Sequence, residues 1–132
     1  MATLLDTHAW VWWVTGDSRL SRRAKAAIAS GVAERDLWIS LISVWEVAKK
    51  VEKGQLVLDR PLDRWLDDAL TWQGLGAREL TRPVLVQSCA LPQPFHGDPA
   101  DQVVVATARH HGALLVTKDE RLRRYSHVRS VW

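Results

Sequence analysis

Residues 96–122 read HGDPADQVVVATARHHGALLVTKDERL and contain three predicted elements in a short space. A turn precedes an apolar segment that predicts a helix from Pro99 to His111, ended by Gly112. ALLVT then predicts a buried strand, and DERLRRY predicts a short helix. A buried strand between helices is typical of a parallel α/β sheet, so this stretch indicates the class of fold.

The rest of the chain alternates in the same way between short apolar segments and longer helical patterns. The predicted strands are ATLLD, LWISL, AREL and VRSVW. The predicted helices are THAWVWWV, SRLSRRAKAAIASG, SVWEVAKKVEKG, RPLDRWLDDALTWQG and RPVLVQSCAL. Gly31 and Gly54 are expected to end the second and third of these helices. The pattern predicts a single domain over residues 1–132, with helices on both faces of a central parallel sheet.

Composition limits the function classes that remain open. A chain of 132 residues with 47% hydrophobic and 25% charged residues suits one globular domain with a real core. The net charge of +3 permits a polyanionic partner without requiring one. The single Cys89 excludes an internal disulfide and fits a reducing compartment. No basic leader and no membrane-length apolar run is present, so we expect a cytoplasmic protein with no membrane partner.

Acidic residues stand at the junctions between predicted strands and helices. Asp6 ends the first strand, and Asp119 follows ALLVT. Glu46 lies in the first turn of the helix after the second strand, while Asp98 and Asp101 begin the VVVATA helix. Because strand ends and the following helix starts share one edge of a parallel sheet, these acids are expected to converge.

Converging carboxylates repel one another unless a proton or a cation offsets their charge. Their oxygens suit hard cations such as Mg²⁺ or Mn²⁺. Such a site activates water and stabilises charge on a phosphodiester, so no protein nucleophile is needed.

Helix capping is the competing explanation for the same acids. Residues 43–46 and 117–120 both match the capping box, with a hydroxyl residue three positions before a glutamate. Asp98, followed by proline, is an ordinary N-cap that places Asp101 at the third helical position. Only Asp6, which closes a buried strand, has no cap to supply. Capping explains the other acids one at a time, but the joint pattern favours a metal site.

Three stretches of the chain resemble the PIN-domain family, specifically the VapC-type toxins of bacterial toxin–antitoxin pairs. LLDTHAWVWW resembles the family's opening, and ISVWEVAKKVEKGQL resembles its second motif. Residues 96–122 resemble the third and fourth motifs together, and the likeness covers essentially the whole chain. The resemblance implies a PIN-like three-layer α/β/α fold. It also implies an endoribonuclease that depends on Mg²⁺ or Mn²⁺, cuts RNA until a cognate antitoxin blocks it, and often forms a homodimer.

The resemblance also implies roles for particular residues. The catalytic, metal-binding acids would be Asp6, Glu46, Asp101 and Asp119. Asp101 is preferred to Asp98 because the family aspartate lies five residues before the first alanine of an A-x-A pair, here Ala106. Asp98 is then the helix cap and a weaker candidate for the site. The hydroxyl residues expected near the metal are Thr7, Ser43 and Thr117. Gln102 departs from the family pattern, since many relatives carry arginine there.

Basic residues give a weaker signal for RNA contacts. The best candidates for phosphate binding follow Asp119 and are Arg121, Arg123 and Arg124. Lys49, Lys50 and Lys53 are expected to form an ordinary solvated helix face. His8 and His96 stand close to acids in the sequence, but we expect them to be exposed or packing residues.

The eight tryptophans are the compositional oddity of the chain. Tryptophan stacks on unpaired bases in some RNA-binding proteins, but more often it lies in a core or an interface. The tryptophans expected in the core are Trp10, Trp13 and Trp45. Those expected at an oligomer or antitoxin interface are Trp12, Trp65 and Trp72.

Other functions fit the sequence less well. A receiver-like phosphoacceptor domain needs an acidic pair after the first strand, and Asp6 has only Leu5 and Thr7 beside it. A haloacid-dehalogenase-type phosphatase needs a second aspartate where His8 stands. The alternative that remains open is a non-catalytic PIN-like module that binds RNA or protein, because intact acids do not prove turnover.

Overall fold

The computed structural model describes residues 1–132 and confirms the predicted parallel α/β sheet. Its strands are β1 (Thr3–Leu5), β2 (Leu37–Ser40), β3 (Gly76–Arg78), β4 (Leu114–Val116) and β5 (Ser130–Val131). They form one sheet in the order β3-β2-β1-β4-β5, and every neighbouring pair is parallel.

Seven helices connect these strands and cover both faces of the sheet. They are α1 (Thr7–Thr15), α2 (Arg22–Ala33), α3 (Ile42–Glu52), α4 (Leu62–Ala69), α5 (Arg82–Ser88), α6 (Pro99–His110) and α7 (Glu120–Arg124). A short 3-10 turn at Trp72–Gly74 precedes β3. None of the helices combines the length and the apolar character that crossing a membrane requires.

β1 is the central strand, and the order of the strands reverses beside it. The chain proceeds from β1 to β2 and β3 on one side, then places β4 and β5 on the other. The switch point therefore lies between β1 and β4, where open α/β sheets form a crevice at the strand ends. Leu5 is in register with Val116, so the residues that follow them, Asp6 and Thr117, leave the sheet at the same level.

Two hydrophobic cores lie on opposite faces of the sheet and explain the three layers. On one face, the buried rings of Trp10 in α1 and Trp65 in α4 meet edge to face with centroids 5.3 Å apart. On the other face, α6 packs against α5 and the sheet and buries an unbroken run from Val103 to Ala108. A helix enclosed in this way is apolar on nearly every side, as the VVVATA segment predicts.

Gly31 lies inside α2, contrary to the prediction that it ends the helix. The helix continues to Ala33. A Cβ atom on Gly31 would lie 3.0 Å from Leu37 Cδ1, so the close approach of α2 to β2 explains the glycine. Gly54 and Gly112 do follow helix ends with positive φ angles of 69° and 60°, as predicted.

Two of the tryptophan predictions are wrong. Trp65 is only 2% exposed and belongs to the core, whereas Trp45 is 56% exposed. On α3 the inward face belongs to Val44 and Val47, and the residue after Val44 is rotated outward by about 100°. Trp10 is buried as predicted, and the remaining core candidate, Trp13, packs half-buried against the core.

Candidate active site

Asp6 lies at the carboxyl end of the central strand, with both side-chain oxygens engaged. Oδ1 accepts a hydrogen bond from the Thr7 backbone N at 2.8 Å, which makes Asp6 the N-cap of α1. The prediction that Asp6 has no cap to supply is therefore wrong, because a helix begins at the next residue. Oδ2 accepts a hydrogen bond from Thr117 Oγ1 at 2.8 Å across the switch point. Asp6 is buried, so these bonds determine its orientation.

Glu46 is tied to α1 by the hydroxyl group of Thr7. Thr7 Oγ1 lies 2.8 Å from Ser43 Oγ and within hydrogen-bond distance of Glu46 Oε1. The predicted capping box at residues 43–46 is wrong, because α3 begins at Ile42 and no side chain caps it. Ser43 instead lies inside the helix, and Glu46 is in the second turn rather than the first. The buried Thr7 hydroxyl thus holds the Glu46 carboxylate against the start of α1, and Ser43 contacts that hydroxyl from α3.

Asp98 and Asp101 have different roles in the structure, one as a helix cap and the other as a member of the acidic centre. Asp98 is exposed, and its Oδ1 accepts a hydrogen bond of 3.0 Å from the Asp101 backbone N, which makes it the N-cap of α6. Asp101 is 8% exposed, and its Oδ2 lies 2.7 Å from His96 Nε2. The prediction that Asp98 caps the helix is confirmed, and Asp101 is the residue that faces the other acids.

Asp119 caps the short helix α7 and is paired with an arginine. Its Oδ1 accepts a hydrogen bond from the Arg121 backbone N at 2.8 Å, and its Oδ2 lies 3.1 Å from Arg121 Nη2. The same guanidinium group lies 3.5 Å from Asp101 Oδ2. The predicted capping box at residues 117–120 is wrong, because the Thr117 hydroxyl donates to Asp6 and accepts from the Asp119 backbone N at 3.1 Å.

The arginine cluster after Asp119 separates in the structure. Arg121 bridges Asp101 and Asp119, so it lies among the acids. Arg123 and Arg124 line a second surface hollow, where Arg124 pairs with Glu120 at 3.2 Å. Arg124 also lines a hollow together with Arg121 and His96, without contacting an acid of the centre. Of the three predicted phosphate-binding residues, only Arg121 is in contact with the acidic centre.

Two histidines approach the acids more closely than the sequence predicts. His96 contacts Asp101, as described above, and stacks on Phe95 with centroids 4.4 Å apart. His8 Nε2 accepts a hydrogen bond from the Lys118 backbone N at 2.8 Å, while its Nδ1 lies 3.6 Å from Asp6 Oδ2. Burial lowers the pKa of His8, which favours the neutral ring. Proximity to Asp6 and Asp101 in the sequence is the signal that could have identified both residues.

The carboxyl groups influence one another's ionisation. Burial, together with the nearby charges of Asp6 and Asp101, raises the pKa of Glu46 to about 7, although the hydrogen bond from Thr7 opposes the shift. Burial also raises the pKa of Asp101, supported by its acidic neighbours, although His96 opposes the shift. Burial acts in the same direction on Asp119, but the Arg121 hydrogen bonds outweigh it and lower the pKa of that carboxyl. These four acids therefore lie close enough to share one electrostatic environment.

The donor set suits a hard divalent cation that keeps part of its water shell. No group of three or more His, Cys, Asp or Glu side chains is close enough in this structure to hold one ion. Mg²⁺ is commonly bound through only one or two carboxylates, with waters filling the other positions. The pKa values of Glu46 and Asp101 are raised by burial and, to a smaller extent, by repulsion from the neighbouring acids. A guanidinium group already lies between Asp101 and Asp119, so the centre attracts positive charge. The residues present therefore fit such an ion.

Fold and site together define a parallel α/β protein with an acidic centre at the switch point of its sheet. The sequence model described as "PIN domain" matches residues 3–128. Ribonuclease VapC22 of Mycobacterium tuberculosis is 38% identical over 128 residues, which cover 97% of this chain and 95% of the relative. The chain belongs to the PIN-domain family, as its sequence motifs indicate.

Solved structures share the fold over nearly the whole chain. VapBC2 from Rickettsia felis, bound to a DNA fragment from its promoter, matches with a TM-score of 0.72 at 15% identity and covers 99% of this chain and 98% of the other. A toxin–antitoxin complex from Klebsiella pneumoniae matches with a TM-score of 0.67 at 21% identity and covers 99% and 97%. These similarities confirm the predicted PIN-like three-layer architecture.

The raised pKa of Glu46 predicts a stability change with pH in the metal-free protein. The folded-state pKa of about 7 exceeds the ordinary value of 4.5, so the native state binds more protons between these pH values. Stability is therefore lost as pH rises through this window. Allowing for partial exposure, we expect Glu46→Gln to be more stable than the wild type at pH 8 by about 1–2 kcal/mol, with the difference gone below pH ~4.5.

Urea midpoints measured at both pH values with a chelator present test this prediction. Glutamine keeps an oxygen that accepts the Thr7 hydrogen bond, so the change removes little besides the titration. A difference in midpoint that is the same at both pH values would contradict the assigned cause.

Proposed function

We propose that this protein is the toxin of a toxin–antitoxin pair and hydrolyses internal phosphodiester bonds of RNA with Mg²⁺ or Mn²⁺. The observation that carries the proposal is the convergence of Asp6, Glu46, Asp101 and Asp119, which come from four separate elements, on one electrostatic centre. The name of the 38% identical relative, a ribonuclease, supports RNA as the substrate.

One or two of the four acids would bind the ion directly and the others through its coordinated waters, and the neighbouring hydroxyls would orient them. When bound, a divalent ion lowers the pKa of water and stabilises charge that develops on a phosphate. Thr117 keeps Asp6 directed across the switch point, and Thr7 keeps Glu46 directed toward Asp6. Since the pKa of Glu46 is about 7, its carboxyl releases a proton near neutral pH when positive charge arrives. Arg121, which lies beside Asp101 and Asp119, is a cation that would contact an incoming phosphate.

We also infer an antitoxin partner and a homodimer for this chain. The similar solved structures from Klebsiella pneumoniae and Rickettsia felis are a toxin–antitoxin complex and a VapBC2 assembly. An apolar surface on and before α5 supports a protein contact, because Leu80, Leu85 and Val86 are all exposed. This surface shares no residue with the acidic centre.

RNA cleavage by the purified protein tests the proposed activity. We expect cleavage with Mg²⁺ or Mn²⁺, none with a chelator, and recovery when the metal is restored. The products should carry 3′-hydroxyl and 5′-phosphate ends, because attack by water spares the ribose 2′-hydroxyl. A mock purification from cells without the gene controls for contaminating nucleases.

Three results would overturn the proposal. Cleavage that persists in chelator, or that leaves 2′,3′-cyclic phosphate ends, would exclude metal-assisted hydrolysis. RNA binding without cleavage of total cellular RNA in either metal would favour the non-catalytic binding module.

A further inference from the structure

Trp45 is a surface tryptophan whose ring has no partner within the chain. Its side chain is 56% exposed, and it lies in α3 directly before Glu46. Neither an aromatic ring nor a cation lies against it, although Trp12 and Trp38 each have an arginine over the ring. A large aromatic ring left open to solvent beside a reactive centre indicates a contact that the isolated chain does not supply.

Trp45 and Glu46 line a common cavity of about 260 Å³. The other lining residues are Lys49, Lys50, Lys53, Gln55, Asp98, Pro99 and Ala100. Helical spacing places Trp45, Lys49 and Lys53 along one stripe of α3, each about 6 Å further along the helix axis. The cavity therefore has carboxylates at one end and a row of cations leading away from the tryptophan.

The helix dipole explains only in part why three lysines lie near the carboxyl end of α3. Cationic side chains are favoured near the carboxyl end of a helix, whatever the function. Lys49 is also paired with Glu52 at 2.8 Å, but Lys50 and Lys53 take part in none of the ion pairs of the chain. Neither argument accounts for the exposed ring of Trp45. A ligand that carries both flat rings and negative charge accounts for the ring and the lysines together.

We propose that Trp45 is the stacking surface for one unpaired base of the RNA substrate, with Lys49, Lys50 and Lys53 contacting the adjacent phosphates. The inference rests on the proposed function, because it places RNA next to Glu46, and it adds a nucleobase subsite to that function. Stacking on an aromatic ring beside a cationic track is how single-stranded nucleic acid is held without sequence-specific contacts. An apolar protein surface is a poorer match, since no other exposed large hydrophobic residue lines this cavity.

RNA binding by Trp45 variants in chelator tests the proposal without requiring cleavage. The probe is a labelled unpaired oligonucleotide, measured by fluorescence anisotropy, with a duplex of the same sequence alongside. We expect W45A and W45L to bind the unpaired strand roughly 5- to 150-fold more weakly, and W45F to retain most of the affinity. W72L is the matched control, because Trp72 is also exposed but does not line the cavity. The duplex should bind W45A and the wild type equally, since its bases are already stacked.

Salt dependence separates the tryptophan from the lysines. K50A and K53A should each reduce the slope of log affinity against log salt by about 1, whereas W45A should leave the slope unchanged. Circular dichroism checks that each variant folds, and gel filtration measures whether it keeps the oligomeric state of the wild type.

Three results would overturn the proposal. These are wild-type affinity of W45L for the unpaired strand, equal weakening of unpaired and duplex binding by W45A, or a change of oligomeric state in W45A with RNA binding intact. The last result would assign Trp45 to a protein interface. Binding through Trp45 with no cleavage in any metal would instead refute the proposed function and leave the base subsite standing.

Discussion

Replacing Asp6 with asparagine is expected to slow metal-dependent RNA cleavage by roughly 10²–10³-fold or more. Asp98→Asn is expected to leave the rate nearly unchanged, because asparagine is as good an N-cap as aspartate. The two acids form a matched pair, since each caps a helix through its Oδ1 at 2.8 or 3.0 Å. Any loss of activity caused by disturbing a helix cap should therefore occur in both variants. A loss confined to Asp6→Asn would come from the role of Asp6 in the acidic centre.

The structure explains why Asp6→Asn should still fold. Asparagine keeps the oxygen that accepts from the Thr7 backbone N, and its amide donates to Thr117, whose hydroxyl accepts equally well. The substitution removes a negative charge from a buried position without changing its size.

Cleavage rates at saturating Mg²⁺ and Mn²⁺, with thermal melting as the folding check, measure this prediction. Asp101→Asn should lose activity with Asp6→Asn, because Asp101 is the buried member of its pair and Asp98 the exposed one. Wild-type activity in both Asp6→Asn and Asp98→Asn would show that Asp6 takes no part in the reaction. The same loss of activity in both variants would identify helix capping as the cause.

Trp10→Ala is expected to produce the largest loss of stability, about 3–5 kcal/mol in the free energy of unfolding. Trp10 is fully buried, meets Trp65 edge to face and donates from Nε1 to the Ala69 carbonyl at 2.9 Å. Truncation leaves a cavity and also leaves that buried carbonyl without its donor.

Trp45→Ala is the control, because it makes the same truncation at an exposed position. It should change the free energy of unfolding by no more than about 0.5 kcal/mol. Urea unfolding with an unchanged m-value measures both effects. Similar shifts of the urea midpoint in the two variants would contradict the assigned burial of the two rings.

The sequence by itself determined the fold class, the position of every strand to within a few residues, and the acids at strand ends. Local patterns carry this information, because a buried strand is apolar throughout and a helix that follows it begins at the next polar residue. Asp6 and Asp119 were identifiable for this reason, whereas the choice of Asp101 over Asp98 for the acidic centre came from the family resemblance. The family motifs in residues 4–13, 42–56 and 96–122 supplied the rest of the acidic set.

Only the tertiary structure decided which partner each hydroxyl takes and which tryptophans are buried. Ser43 and Thr117 match a capping box locally, yet their hydrogen bonds join residues 36 and 111 positions apart in the chain. Trp45 stands in a mostly apolar helical segment and is exposed, whereas Trp65 stands in a highly charged helix and is buried against Trp10. A local pattern specifies the face of a helix only when its polar and apolar residues separate cleanly, and long-range hydrogen bonds depend on the strand order that brings Asp6 beside Thr117.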